Sequence, residues 1–317
     1  MRSRAGHQRR GGRHLSRGQS EAEVCHVRPQ TRVALHRCIT TPRVVAGLML
    51  VAAIVTVAVL AHWIAPHDPQ EQDLLNILLP PSWSAAGVPD YPFGTDSLGR
   101  CVLSRVLFGA RVALYVACLA ATGAMLLGTL LALVAGYFGG WVDWIISRIV
   151  DIWMAFPPVI LALILLVGLG TGVNKVILAI VLIDWTRFCR VIRSDVMVIR
   201  RKDYVAAARL AGFSHGQTIL KEVLPAVVPL LITLFSLEMG IAVIVEAIMS
   251  FVGMSVEPNV AAWGVMIADA RQFMNQSPWG VIIPVFAIFI TVLAFNLTGD
   301  GLRRALDPRL MTSRGDV

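Results

Sequence analysis

Five long stretches of this 317-residue sequence are almost free of formal charge. Residues 44–67, 112–142, 152–174 and 272–299 contain no Asp, Glu, Lys or Arg, and residues 223–256 contain only Glu238 and Glu246. A helix that crosses a bilayer needs about 20 mostly apolar residues, so each stretch is long enough to cross one. Charged residues make up 15% of the chain, against about 25% in a soluble domain. The pattern predicts an all-α, polytopic membrane protein.

A sixth hydrophobic stretch, about residues 173–193, is weaker because Lys175, Asp184 and Arg187 interrupt it. Counting it, we predict six transmembrane helices. The first covers residues 44–65, and the other five lie in a core at residues 112–310. The third, about residues 145–168, should be kinked at Pro157-Pro158, because proline removes a backbone donor and clashes with the preceding turn. We expect Asp151 and Asp184 near helix ends, at the membrane surface.

Residues 66–111 separate the first helix from this core and form a predicted extracytoplasmic segment. Its last part resembles an amphipathic helix capped by Thr95 or Asp96. Leu98 and four further apolar residues would share one face, and Arg100, Ser104 and Arg105 the other. We expect this helix to lie in the plane of the membrane interface.

Lys and Arg residues are distributed very unevenly between the predicted sides of the membrane. With six spans, 23 of the 28 fall on the side of the two termini and 5 on the other. Cytoplasmic loops carry the excess of basic residues, so both termini should be cytoplasmic. This topology accounts for the net charge of +8 without nucleic-acid binding. Residues 1–43 are predicted to be a disordered basic tail, and residues 311–317 a short cytoplasmic tail.

Residues 203–225, which we call the hook, lie on the predicted cytoplasmic side between two spans. Asp203 is a suitable N-cap, alanines favour a helix after it, and Gly212 suits a left-handed residue just past the helix end. Ser214 and Gln217 match a capping box that opens a second helix, expected to end near Leu224-Pro225. A short helix with small side chains suits a groove on another protein, although an ordinary loop fits the same residues.

Small residues recur at four-residue spacing along the second predicted span. They are Ala120, Ala124, Gly128, Ala132, Gly136 and Gly140. Helices in lipid associate through close backbone approach, so this row predicts a tight helix–helix contact. Whether the partner helix belongs to this chain or to another is left open.

Glu238 and Glu246 are the two carboxylates within the fifth predicted span. Ionisable groups at membrane depth usually face the bundle interior or a wet cavity. Two roles therefore fit each of them. One is a place in a translocation path, where it would meet a substrate's amino terminus or a metal cation. The other is a structural hydrogen bond to a neighbouring helix.

No group of residues in the sequence predicts catalysis or a bound cofactor. Residues 168–175 contain glycines followed by Lys175, but the spacing differs from that of a phosphate-binding loop. The histidines and cysteines form no metal-ligand pattern. We therefore expect a non-catalytic chain without a nucleotide, metal or cofactor of its own.

The hook resembles the EAA motif of bacterial ABC importer permeases. Ala207, Ala208, Gly212, Leu224 and Pro225 match its spacing. Ala206 and Glu222 depart from it, because the family has Glu and Ile there. Without that Glu, we expect the first turn of the hook to be less rigid.

Seven further motifs resemble the dipeptide/oligopeptide/nickel subfamily of these permeases, and specifically the second of its two permease subunits. They are Ile64–Pro69, Phe93–Arg100, Gly136–Asp143, Val245–Gly253, Ala262–Gly264, Leu293–Leu302 and Leu306–Pro308.

The resemblance implies a membrane subunit of an ATP-driven importer in the bacterial inner membrane. It implies three kinds of partner: a second, homologous permease subunit, two ATPases that bind ATP and Mg²⁺, and an external substrate-binding protein. The residues implied to couple to the ATPases are Asp203, Tyr204, Ala207, Ala208, Arg209, Gly212, Leu224 and Pro225.

Di- or oligopeptides are the expected cargo. Nickel chelates and glutathione-like molecules are alternatives within the same machinery. A stand-alone secondary transporter or channel is the alternative from another class. Such proteins usually contain two related halves, which we do not find in the sequence.

Overall fold

The computed structural model describes residues 42–256 and 259–306, so nearly all of the predicted N-terminal tail and all of residues 311–317 lie outside it. The described ranges form ten α-helices and no β-strand, which agrees with the predicted all-α class. The helices are α1 (Pro42–Ile64), α2 (Val102–Phe138), α3 (Gly140–Met154), α4 (Pro158–Leu169), α5 (Val173–Ile199), α6 (Asp203–Leu210), α7 (His215–Thr218), α8 (Leu224–Phe251), α9 (Trp263–Ala270) and α10 (Trp279–Leu306).

Four continuous helical segments of the described chain are long and apolar enough to cross a membrane. They are α1, α2, α7 together with α8, and α10, and the pair α3 and α4 makes a fifth if it is counted as one broken span. The sixth predicted span corresponds to α5, whose charged residues set it apart from the others. A count of six therefore stays a prediction.

The third predicted span is broken rather than kinked. Helices α3 and α4 meet at an angle of 91°. Pro157 lies at the N-cap and Pro158 in the first turn of α4, where a missing N–H costs nothing. The two prolines thus start a new helix instead of bending an existing one.

Helix α2 is the centre of the fold, and α5 packs along its length. The small residues predicted from the four-residue spacing are buried on one face of α2, from Ala120 to Gly136. A Cβ atom on Gly128 would lie 2.6 Å from the Cβ of Phe188, and one on Gly136 would lie 2.8 Å from Cγ1 of Val196. The close helix–helix contact is therefore made within the chain.

Gly140 does not belong to this packing surface. It is exposed, no atom lies within 4 Å of the position of a Cβ, and its φ is +58°. Its prediction as a packing residue was wrong because α2 ends at Phe138, so the four-residue register stops there. Gly139, between the two helices, and Gly140, the first residue of α3, instead make the sharp turn from α2, where positive φ favours glycine.

The predicted helix start at Thr95 or Asp96 was also wrong, because α2 begins at Val102. The predicted separate interfacial helix does not form, since residues 102–111 are the first turns of the continuous helix α2. Asp96 instead forms a turn, in which Oδ1 accepts the backbone N–H groups of Leu98 and Arg100. Its Oδ2 accepts Arg100 Nε at 2.7 Å and Arg105 Nη1 at 2.5 Å. The expected polar face is therefore buried against a carboxylate, and Arg105 is only 1% exposed.

Helix α9 closes this ionic cluster from the other side. Asp269 accepts Arg100 Nη2 at 3.1 Å. Trp263 donates from its indole to the Val106 carbonyl and packs against Gly109. The segment before α2 and the segment after α8 are thereby joined in one layer at this end of the bundle.

The contact between α2 and α5 can be tested with a matched pair of alanine substitutions. Gly128→Ala should lower the free energy of unfolding by about 1–3 kcal/mol, because the new methyl group overlaps the backbone and side chains of α5. Gly168→Ala, on α4, meets no atom within 4 Å and serves as the control. Thermal unfolding of the purified protein in detergent measures both, and equal midpoints would contradict the proposed close packing.

Candidate functional site

The first helix of the hook, α6, begins with Asp203 inside the helix. Its N-cap is Lys202, whose carbonyl accepts the N–H of Val205 at 3.0 Å and of Ala206 at 3.3 Å. The prediction of Asp203 as the N-cap was therefore wrong by one residue. At the first helical position its carboxylate still interacts favourably with the positive end of the helix dipole.

The end of α6 has the left-handed turn that was predicted. Gly212 has a φ of +95°, its N–H bonds to the Arg209 carbonyl, and the Phe213 N–H bonds to the Ala208 carbonyl. This pair of bonds is a Schellman motif, which satisfies the last carbonyls of a helix. A residue with a Cβ would be strained at this φ.

The second part of the hook begins with the predicted capping box. The Gln217 N–H bonds to Ser214 Oγ, and the Ser214 N–H bonds to Gln217 Oε1 at 2.9 Å. The predicted end near Leu224-Pro225 was wrong, because the chain continues through one π-helical turn, Ile219–Val223, into α8. Pro225 lacks the N–H that an α-helical turn would use, and the wider turn accommodates it.

One side of α6 anchors the hook and the other is free. Val205 is buried, whereas Asp203, Tyr204 and Ala207 are exposed and Leu210 is 90% exposed. Burial of part of its ring, with acidic groups nearby, raises the pKa of Tyr204, so its phenol is neutral. The free side therefore presents small and apolar groups with one carboxylate, which is the surface a protein groove accepts.

A hydrogen-bond network connects the hook to the end of α2. Arg209 bonds to the Phe213 carbonyl at 2.7 Å and to His215 Nε2 at 3.1 Å. The other ring nitrogen of His215 lies 3.2 Å from Tyr137 Oη. Because arginine only donates, the contact with Arg209 assigns Nε2 of His215 as an acceptor and leaves Nδ1 as the donor to Tyr137.

Arg200 strengthens the same junction, since its guanidinium donates to the carbonyls of Gly136 and Tyr137. These bonds satisfy carbonyls at the C-terminal end of α2. Sequence reasoning missed Tyr137, His215 and Arg200, because 78 residues separate the first two and no local pattern relates them.

A second group of functional candidates lies within the helical bundle. Asp184 and Arg187 on α5 meet Glu238 on α8, and the guanidinium lies 3.7 Å from each carboxylate. The expectation that Asp184 lies near a helix end was wrong, because it is only 2% exposed and near the middle of α5. Of the two predicted path residues, Glu238 thus has charged neighbours.

Glu246 has different surroundings. It is 1% exposed, and its Oε1 accepts Ser250 Oγ at 2.5 Å within the same helix. The structure therefore does not bring Glu246 and Glu238 into one site. A place for Glu246 in a path stays a prediction, and its hydrogen bond matches the structural alternative.

Two known protein families match separate parts of the chain. Residues 128–312 match the binding-protein-dependent transport system inner membrane component, and residues 30–81 match the N-terminal transmembrane domain of oligopeptide transport permease C. The chain belongs to this family of transport permeases. The predicted identity as an ABC importer permease is confirmed, and the hook therefore lies in a membrane-embedded transport subunit.

Relatives of this permease match over most of its length. The dipeptide transport system permease protein DppC of Alkalihalophilus pseudofirmus is 36% identical, over 84% of this chain and 86% of its own. The glutathione transport system permease protein GsiD of Shigella dysenteriae is 39% identical, over 83% and 85%. The di/tripeptide transport system permease protein DppC of Pseudomonas aeruginosa is 38% identical, over 83% and 87%.

Removal of one hydroxyl tests whether the Tyr137–His215 bond holds the hook in place. Tyr137→Phe should raise amide hydrogen exchange in residues 203–213 about fivefold, because a hydrogen bond contributes about 1 kcal/mol to local stability. Mass spectrometry of the purified permease measures the exchange. Tyr115→Phe, which loses a contact with Asn174 far from the hook, is the control. Unchanged exchange in Tyr137→Phe would show that this bond does not restrain α6.

Proposed function

We propose that this permease forms half of the path by which di- or oligopeptides enter a bacterial cell, and that a second, homologous permease forms the other half. Peptides carry backbone groups that each cost several kcal/mol, roughly, when left unsatisfied in hydrocarbon, so they need a protein-lined path. The dipeptide, di/tripeptide and glutathione systems named for the relatives support a peptide-like cargo.

The hook is the proposed contact with one of two ATPase subunits, which bind ATP and Mg²⁺ and hydrolyse the nucleotide. The observation that carries this proposal is the free face of α6. It is formed by Tyr204, Ala207 and Leu210. A Schellman motif ends α6, and the capped start of α7 follows it directly. Because the C-terminal end of α6 is hydrogen-bonded and leads directly into a capped helix start, a push on this face moves α8 rather than bending the hook.

Asp203, Ala208 and Arg209 have proposed supporting roles in that contact. Asp203 gives the exposed first turn a negative charge, and Ala208 keeps the side of α6 narrow. Arg209 holds the hook to Phe213 and His215. Leu224 and Pro225 follow the π-helical turn, where the hook becomes α8. Movement of the hook is thereby transmitted into a membrane-spanning helix.

We infer from the distribution of basic residues that both termini and the hook face the cytoplasm. An external substrate-binding protein then delivers cargo at the opposite end, near α9 and the ion pairs of Asp96 with Arg100 and Arg105. The chain itself carries out no chemistry in this scheme. Glutathione is the second candidate cargo, favoured by the relative from Shigella dysenteriae, and a nickel chelate would use the same path.

The importer mechanism can be separated from a secondary transporter by reconstitution. Vesicles that contain both permease subunits and no ATPases should not accumulate dialanine, because nothing drives the path open to alternate sides. Vesicles with the complete importer, the binding protein and ATP should accumulate it. Accumulation without ATPases would contradict the proposal and favour a secondary transporter.

The hook can be tested at the residue that ends α6. Gly212→Val should reduce co-purification of the ATPases at least tenfold, because a β-branched residue is strongly disfavoured at a φ of +95°. Membrane insertion should not change, since Gly212 lies outside the segments that are long and apolar enough to cross a membrane.

Gly216→Val is the matched control, because Gly216 has ordinary φ and no atom within 4 Å of the position of its Cβ. Pull-down from solubilised membranes measures both variants against the wild type. Normal recovery of ATPases with Gly212→Val would count against the hook as the contact.

A further inference from the structure

Three charged side chains meet at mid-depth in the helical bundle. Asp184 lies 11 residues from the start of α5, and Glu238 lies 14 residues from the start of α8. At 1.5 Å per residue these positions are about 17 and 21 Å from the helix ends. Arg187, one turn from Asp184, contacts both carboxylates. We call Asp184, Arg187 and Glu238 the mid-membrane cluster.

The nitrogen–oxygen distances in this cluster are long for ion pairs. Both distances to Arg187 are 3.7 Å, whereas charge-assisted hydrogen bonds are usually about 2.7–2.9 Å. One turn further along α5, Arg190 contacts Asp151 at 2.8 Å, so the helix itself permits a close pair. The two carboxylates are therefore not saturated by their one guanidinium.

One carboxyl oxygen of Glu238 accepts no hydrogen bond. The residue is only 4% exposed, and its Oε1 has no hydrogen-bond partner among the described residues. A buried polar atom without a partner is costly, and two carboxyl groups with one guanidinium leave acceptor oxygens without a donor. Both facts indicate that the cluster is complete only when a further cationic donor is present.

The exposed part of Arg187 shows where such a donor would enter. Its side chain is 37% exposed at a depth where a charged group is expensive in lipid and almost always faces a cavity or another protein chain. The open side of the cluster therefore faces the path or the second subunit.

We propose that Asp184 and Glu238 form a subsite for the N-terminal ammonium group of a peptide in transit, and that Arg187 partly neutralises them while the path is empty. This inference rests on the proposed function as half of a peptide path. An ammonium group brings three donors, which match the free Glu238 oxygen, and a positive charge, which two adjacent carboxyl groups stabilise.

A reporter thiol tests whether water and cations reach the subsite. Arg187→Cys is reconstituted in the complete importer, with the wild type as control for the native cysteines. When each rate is divided by the rate of the same reagent with 2-mercaptoethanol, the cationic 2-(trimethylammonium)ethyl methanethiosulfonate should label it roughly tenfold faster than the anionic 2-sulfonatoethyl reagent, because the carboxyl groups of Asp184 and Glu238 lie beside the thiol. Adding Glu238→Gln should reduce this preference severalfold. No labelling, or equal rates with both carboxylates present, would overturn the proposal.

Protection by cargo tests the ammonium group itself. Dialanine, applied without binding protein to the hook side of the vesicles, should slow labelling of Arg187→Cys, and N-acetyl-dialanine at the same concentration should not. Equal protection by both peptides, or none, would overturn the proposal. Val191→Cys, one turn away on α5 and partly exposed, replaces the reporter if Arg187→Cys does not assemble.

Two measurements separate this inference from the proposed function. Glu238→Gln should keep ATPase co-purification and lower dialanine uptake at saturating binding protein, whereas Asp151→Asn, at the close pair with Arg190, should leave uptake unchanged. Normal uptake with Glu238→Gln would overturn the subsite alone. Failure of the wild-type permease to bind ATPases would instead overturn the proposed function.

Discussion

The close approach of α2 and α5 is the contact on which the rest of the structure depends. Glycine and alanine on α2 let α5 lie against its backbone, because any larger side chain at Gly128 would occupy the position of Phe188. Helix α5 carries Arg190 and Arg193, which pair with Asp151 and Asp143 on α3. It also supplies two residues of the mid-membrane cluster and leads into the hook. In lipid, where no hydrophobic driving force joins apolar helices, such packing decides their arrangement.

Hydrogen bonds to the end of α2 also hold the hook in place. Local signals build α6, but hydrogen bonds from Arg200 to α2 and between Tyr137 and His215 hold it against the bundle. A short helix on a flexible loop could bind a partner without transmitting force. Here the π-helical turn joins the hook directly to α8, so binding at the free face and movement of a spanning helix are mechanically linked.

Charged groups inside the bundle differ in how fully they are paired. Asp96 is held by two arginines at close distance, and Arg193 forms a two-pronged pair with Asp143. These pairs stabilise particular helix contacts. The mid-membrane cluster has longer contacts and a free carboxylate oxygen. That contrast, rather than the presence of charge as such, distinguishes a candidate transport subsite from structural ion pairs.

The sequence by itself determined the helical class, most of the helices and the motifs of the hook, because long uncharged stretches, glycine at positive φ and a capping box act over neighbouring residues. It also identified Glu238. It could not assign the partner of the small-residue face, the neighbours of Asp184 or the support of the hook by Tyr137. Those contacts join residues 50 to 80 positions apart, and only tertiary packing brings them together. For the same reason the polar face before α2 was misjudged, since its burial depends on Asp269, far along the chain.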